Sequence, residues 1–417
     1  MKQMLLQYSG LKKELYILFI GKLVTAMGSF VWPMLTFLMT TRLGFSDANA
    51  ARILATATVL SIPAALLGGK LADRFSRKKI IIVFDCLTVT LYTVAAILPI
   101  SKLTILLAFL AGLFQTIETP AYDALNADFS TSAQREKAFS LSYLGFNLGY
   151  ILGASVSGIL FQKYVWLCFL LNGASILVST VLIGLFVHMK NAVHETSSSG
   201  PATLSEYEQP VDDSISVLQV LRQRKVVLLA LLIGCFAALP SNVVGILLPL
   251  QLKSTMGEYG AAIYGYLNSL NGFVVILCTP VFTILLRKFT EIPKSILGLL
   301  LFVAGIALFS VEGAVWVLFV GMFVFTMGEV VSVLGNNPYN SRRMPASHWG
   351  RVGGISSVIY SAFSALTQYG IGWILDATGN NYFLLWMVFV VCGLGAAALY
   401  AGIYRLDRKT FPLLYRR

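Results

Sequence analysis

Charge is scarce in this chain. Only 12% of its 417 residues are Asp, Glu, Lys or Arg, about half the share in an ordinary soluble domain. So few charges cannot cover a water-facing surface, which excludes a soluble globular protein. Histidine is rarer still: His188, His194 and His348 are the only three. None has a Cys or His partner at ligand spacing, so no metal site is expected and a histidine-dependent membrane enzyme is excluded. The five cysteines (Cys86, Cys168, Cys235, Cys278 and Cys392) all fall inside apolar runs. That pattern gives neither a disulfide framework nor a metal motif. A cleavable leader is not expected either: residues 9–13 are polar, and the apolar run that follows is too long for a signal h-region.

Apolar runs are what the chain has instead. It is 57% hydrophobic, with a mean hydropathy of +0.77. A membrane span needs roughly 20 apolar residues. Twelve runs qualify: 15–41, 48–70, 80–99, 103–126, 137–161, 165–188, 226–252, 260–286, 295–311, 314–337, 352–375 and 382–404. A backbone in hydrocarbon must satisfy its own amides, so each run is expected to be a helix, and the lengths exclude barrel strands. Several runs exceed the bilayer thickness and should tilt.

The net charge of +12 is topological. Five of the 31 lysines and arginines fall in turns on one side: Arg42, Arg52, Lys102, Lys163 and Lys253. Lys22 lies within a span, and all the rest occupy the termini and the turns of the other side. Positive loops stay inside, so both termini are expected in the cytoplasm. The excess charge then faces lipid headgroups, and membrane lipids rather than nucleic acid are the expected partner.

Residues 189–225 interrupt the apolar pattern. Glu195-Thr-Ser-Ser-Ser-Gly-Pro201 is polar and flexible, Asp212-Asp213 is acidic, and Ser216 to Leu221 reads as a short amphipathic helix lying on the membrane. The stretch divides the chain into six-span segments, 1–188 and 226–417. At an offset of 213 residues, Gly21 meets Gly234, Gly44 meets Gly257 and Arg74 meets Arg287. Gly158 meets Gly372 at an offset of 214. The near-constant register points to a repeat.

Residues 68–79 read Gly-Gly-Lys-Leu-Ala-Asp-Arg-Phe-Ser-Arg-Lys-Lys between two spans. This turn resembles the signature loop of the major facilitator superfamily, G-x-x-x-D-R-x-G-R-R/K-K/R. Gly69, Asp73, Arg74, Arg77, Lys78 and Lys79 match, and Ser76 stands where the family has glycine. The second copy, Arg287-Lys-Phe-Thr-Glu-Ile-Pro-Lys294, has lost the glycine and the aspartate. Gly149, Gly153 and Gly158 in helix 5 resemble the family's antiporter motif, with Ala154 replacing its proline. Thr119-Pro-Ala-Tyr-Asp-Ala-Leu-Asn-Ala-Asp128 and Gly328-Glu329 with Pro338 are similar to segments of bacterial drug-efflux members.

The resemblance implies an all-α membrane protein of twelve helices in two pseudo-symmetric six-helix bundles, in which a monomer suffices. It implies a latch as well. Gly69 would let helix 2 pack on a neighbour, Asp73 would cap helix 11 near Gly350, and Arg77 would pair with Asp128.

Three ionisable residues sit at one depth within spans 1, 4 and 10. Lys22, Glu118 and Glu329 each lie about nine residues from the expected cytoplasmic face, roughly 13 Å into the membrane. Each costs at least ~2.5–3.5 kcal/mol there, so each needs a partner or water. The resemblance puts helices 1, 4, 7 and 10 around a central cavity, so the three form a candidate proton-coupling and substrate site. Glu118 is expected to pair with Lys22 in one state, and Glu329 to carry a proton. Gln115, Asn147, Asn242, Asn268, Asn271 and Asn336 are the neutral polar candidates; Trp32, Tyr143 and Tyr360 are the aromatic ones. Asp123 fits the cavity mouth or the Arg77 network, and Asp85 is expected to serve loop lysines.

The reading is a secondary transporter and not an enzyme. It exports small lipophilic compounds or drugs across the cell membrane by proton antiport, using the proton gradient and no bound cofactor. The alternative, which Lys22 supports, is a proton symporter or a flippase for a defined anionic or amphipathic solute.

Overall fold

The computed structural model describes residues 9–131, 134–189, 222, 224–311, 313–343 and 346–415. Side chains are described over the same residues apart from 135–136, 155, 240, 337–338, 340–342, 346–357 and 413–414. The expected linker and its amphipathic helix at 216–221 lie outside the described residues.

Twelve helices are long and apolar enough to cross a membrane, and the described residues contain no strand. They are α1 (Lys13–Arg42), α2 (Asp47–Arg74), α3 (Arg77–Ile97), α4 (Lys102–Asp128), α5 (Arg135–Lys163), α6 (Val165–Phe186) and α7 (Lys225–Met256), followed by α8 (Tyr259–Leu285), α9 (Glu291–Phe309), α10 (Val315–Arg343), α11 (Ala346–Thr378) and α12 (Tyr382–Thr410). Several ends run past the apolar stretches because polar turns outside hydrocarbon can stay helical; α10 and α12 each extend six residues beyond the expected span.

Two of the twelve spans, α1 and α7, are broken as helices. α1 is helical over Lys13–Met27, opens, resumes over Val31–Phe37 and ends in a π-helical stretch, Leu38–Arg42. Gly28 and Ser29 favour helix weakly, and Pro33 has no amide hydrogen to return to Ser29. The freed Val31 amide is taken by the Asn172 side chain of α6, at 3.3 Å. α7 opens at Ala238, just before Pro240. After each broken helix comes a left-handed glycine, Gly44 at φ +68° and Gly257 at φ +57°. Only glycine takes that conformation cheaply, so the register match of Gly44 with Gly257 marks one turn used twice.

By contacts the described residues group into two compact units. The first takes α1–α6 with Pro249–Phe273, the end of α7 and the first half of α8. The second takes the start of α7, α8 from Val274, and α9–α12. Each is held by packing, since lipid is as apolar as a leucine side chain. In the first unit, Gly149 lies so close to α1 that an added Cβ would fall 2.2 Å from the Leu23 carbonyl oxygen. In the second, α9 and α10 meet backbone to backbone: a Cβ on Gly328 would fall 2.6 Å from the Phe302 amide, and one on Gly305 2.7 Å from that of Phe325.

Candidate coupling site

The intramembrane charges of the first unit gather on α1, α3 and α4. Lys22 is half-buried on α1, and its Nζ stands 5.0 Å from the centre of the Tyr122 ring. Tyr122 is itself fixed, its hydroxyl donating to the Leu18 carbonyl at 2.6 Å. Glu118, one turn earlier on α4, is 9% exposed. Among the described residues, no donor reaches its carboxylate and no cation lies in ion-pair contact. The expected Lys22–Glu118 pair is therefore not made in this structure, where the ammonium rests on an aromatic face. The Lys22 charge still acts on Glu118, Asp85 and Asp123, and the Asp85 and Asp123 charges act on Glu118.

Asp85 belongs to this group, which corrects its expected role beside loop lysines. It lies eight residues into α3, about 12 Å along the axis, so it has passed below the turn and faces α6. Thr180 Oγ1 is 2.7 Å from Asp85 Oδ2 and 2.8 Å from the Ile176 carbonyl. A hydroxyl has one proton to donate. With Asp85 ionised, Thr180 donates to it. With Asp85 protonated, Asp85 donates to Thr180, which donates to Ile176. The geometry accepts both states. The equal depth of Asp85 and Lys22 was the signal in the sequence.

The signature turn lies at the same end of the first unit. Arg77 Nη1 bonds Asp128 Oδ1 and the Ala124 carbonyl. Lys78 donates to the Gly184 and Val187 carbonyls, both at 2.7 Å, placing a cation on the C-terminal end of α6 where the helix dipole favours it. Ser76 has φ −59°, so replacing the family glycine strains nothing. Among the described residues, Gly69 does not pack on a neighbour. Its predecessor Gly68 does, with a Cβ position 2.3 Å from the Ile117 carbonyl oxygen of α4, whereas Gly69 faces open space among the described residues. One residue turns a helix by about 100°, and that step carries Gly69 off the contact. Asp73 and Arg74 are exposed, and the side chains around Gly350 lie outside the described residues.

The antiporter-like glycines serve two contacts. Gly149 and Gly153 pack on α1, and Gly158 meets the Ala261 carbonyl oxygen of α8 with a Cβ position at 2.5 Å. At the opposite end of the unit, Lys253 pairs with the buried Asp47 at 3.1 Å and Arg42 pairs with Glu258 at 3.0 Å. These ties hold the ends of α1, α2, α7 and α8.

Glu329 lies in the second unit. It lines a cavity of about 220 Å³ with Ser241, Ser295, Asn336 and Tyr400. Ser295 donates to Asn336 at 2.7 Å, and Tyr360 donates to Asn242 at 3.0 Å. Asn147 and Asn268 each bond a carbonyl of their own helix. Gln115 is half-buried on α4, one turn before Thr119, whose hydroxyl bonds its carbonyl. Trp32 and Tyr143 are more than half exposed.

The second unit also holds a buried ion network. Arg343 is fully buried at the end of α10. Its guanidinium grips Asp407 of α12, with Nη2–Oδ2 2.7 Å and Nε–Oδ1 2.9 Å, and reaches Glu291 at 3.2 Å. Tyr415 donates to Asp407 at 2.6 Å. Burial first, and then the bond to Asp407, push the Tyr415 hydroxyl above its ordinary pKa, so it remains a donor.

Comparison with known proteins decides the family. The profile described as Major Facilitator Superfamily matches residues 18–368. The chain belongs to that superfamily. Its relatives include the Na(+), Li(+), K(+)/H(+) antiporter of Planococcus maritimus, 25% identical over 82% of this chain and 88% of that one. Another is the multidrug resistance protein MdtH of Yersinia enterocolitica, 21% identical over 93% of each chain. Among solved structures, the nucleoside transporter NupG superposes with a TM-score of 0.72 at 12% identity, covering 94% of this chain and all of that one. A peptide transporter POT superposes at 0.74 and 17% identity, covering 97% and 96%. These likenesses show the twelve-helix fold. This transporter is a multi-pass membrane protein and not an enzyme.

Proposed function

We propose that this transporter is a proton-coupled antiporter that exports small lipophilic compounds from the cell by alternating access. The observation that carries the reading is Lys22 set among Asp85, Glu118 and Asp123. Asp85 and Glu118 are buried, Asp123 is exposed, and one half-buried ammonium cannot balance two buried carboxylates, so the group calls for further positive charge, and the smallest is a proton. The Asp85–Thr180 contact, which suits either protonation state, supports the same reading. Gln115, Asn147, Asn242 and Glu329 complete the polar set that would meet the proton and the substrate. The proton gradient is the energy source, with no cofactor. The signature turn, with Gly69, Asp73, Arg74, Arg77 and Asp128, is the latch, and Asp73→Asn should lower transport without lowering abundance.

The charge bias supports insertion in the cell membrane with both termini in the cytoplasm, and a monomer suffices for this fold. Lys22 rests on the aromatic face of Tyr122 beside several carboxylates, a setting that suits an anionic solute less well and ranks the symporter or flippase reading behind export. The name of the Planococcus relative favours one second reading, in which an alkali cation is exchanged for protons.

The test is proton movement in inside-out vesicles, followed with a pH-sensitive dye. Cationic, neutral and anionic compounds are added in turn, then Na+, Li+ and K+. Proton release evoked by lipophilic compounds and lost in Glu118→Gln supports export by antiport. Release evoked by alkali cations alone selects the second reading. Transport of a compound without any proton signal overturns both.

A further inference from the structure

A groove of about 650 Å³ runs along the outside of the second unit between α9 and α12. Its α9 wall carries Ile296, Leu297 and Leu300; its α12 wall carries Tyr404, Arg405 and Arg408. These are stripes at three- and four-residue spacing, so each wall is one helix face. α9 begins and α12 ends at the same face of the membrane, so polarity is graded along the groove. Arg408 lies at the mouth, with Arg405 one turn deeper. The α9 leucines, 39% and 43% exposed, continue toward the bilayer centre. Among the described residues, the acids of this end do not neutralise the arginines: Asp407 and Glu291 are buried and engaged by Arg343.

We propose that this groove is a binding site for one anionic phospholipid, with its phosphate on Arg405 and Arg408 and an acyl chain along Ile296, Leu297 and Leu300. Two guanidiniums suit a phosphate, which they can chelate with paired N–H groups. Basic pockets between transmembrane helices at a membrane surface select anionic headgroups. A zwitterionic choline lipid carries its own cation beside the phosphate and competes poorly. The bound lipid would lie against the outer face of the last turns of α12, whose inner face holds Asp407.

The experiment is native mass spectrometry of the purified full-length chain, titrated with phosphatidylglycerol or phosphatidylcholine of the same acyl chains. One phosphatidylglycerol should be retained in preference. Arg405→Ala with Arg408→Ala should weaken that retention by about tenfold or more. Leu300→Trp, which fills the apolar end and keeps both arginines, should weaken it as well. Arg287→Ala with Lys288→Ala, an equal loss of charge outside the groove, should leave it unchanged. Equal retention of the two lipids, or an equal loss in the control pair, overturns the proposal. So does displacement of the lipid by millimolar inorganic phosphate, which would mark a site for free anions.

Discussion

Arg77 and Glu291 hold equivalent positions with opposite charge. Arg77 is the first residue of α3 and Glu291 the first residue of α9, the third helix of each six-span segment. Each reaches the end of the helix that follows: Arg77 bonds Asp128 of α4, and Glu291 accepts from Arg343 of α10. The two units thus make the same tie with the signs exchanged. They differ in burial, because the Arg77 pair is about a quarter to a third exposed while Arg343 is sealed.

Burial makes Arg343 the residue whose loss should cost most. Arg343→Ala would take from the buried Asp407 the guanidinium that grips it, at a cost of about 3–5 kcal/mol. Arg343→Lys should recover only part of this, since an ammonium cannot bond both Asp407 oxygens and Glu291 in the same geometry. Thermal unfolding of the purified protein reads both.

The Arg77–Asp128 tie should be worth about 1 kcal/mol or less, because water reaches it, and it should weaken as salt is raised. Arg77→Asp alone should impair transport at normal abundance. Arg77→Asp combined with Asp128→Arg, which restores the pair in the orientation of the second unit, should recover it. Failure of the double variant to exceed the single one would separate Arg77 from Asp128.

Gly68 and Gly69 should behave oppositely. Gly68→Ala drives a methyl into the Ile117 carbonyl and should destabilise by about 1–3 kcal/mol. Gly69→Ala meets none of the described residues and should stay within about 0.5 kcal/mol. A melting series on the two variants decides it.

Asp85→Asn should remove proton coupling as fully as Glu118→Gln, although α3 is the less obvious helix. The amide keeps the Thr180 contact and the packing but cannot exchange a proton. Substrate-evoked proton release should therefore fall at least tenfold with melting temperature unchanged. Normal release in Asp85→Asn would reduce the residue to a structural partner of Thr180.

The span count was legible in the sequence, because apolar length has one economical outcome in a membrane; the Arg77–Asp128 contact was legible only through the resemblance that residues 68–79 carry. The breaks in α1 and α7 were less so. Pro33 and Pro240 give the cause, but proline is often tolerated within spans, as Pro63, Pro120 and Pro280 are here. Asp85 was misassigned by sequence proximity to lysines, since neighbourhood along the chain says little after two helical turns. The Arg343 network was hidden because its members come from α9, α10, α12 and the turn Pro412–Tyr415, and the second signature loop had exchanged its charges. The offset from Gly68 to Gly69 is a matter of helical phase, and a motif pattern does not fix phase.

The splice at Val31 has a mechanical consequence. Where α1 opens, its backbone bond passes to the Asn172 side chain on the neighbouring helix. A rod joined in this way can flex at the joint by rotating an amide group, with no peptide hydrogen laid bare to hydrocarbon. The segment from Val31 to Arg42 is buried along most of its length, so the amide joint keeps its polar groups bonded while side-chain packing holds the segment in place.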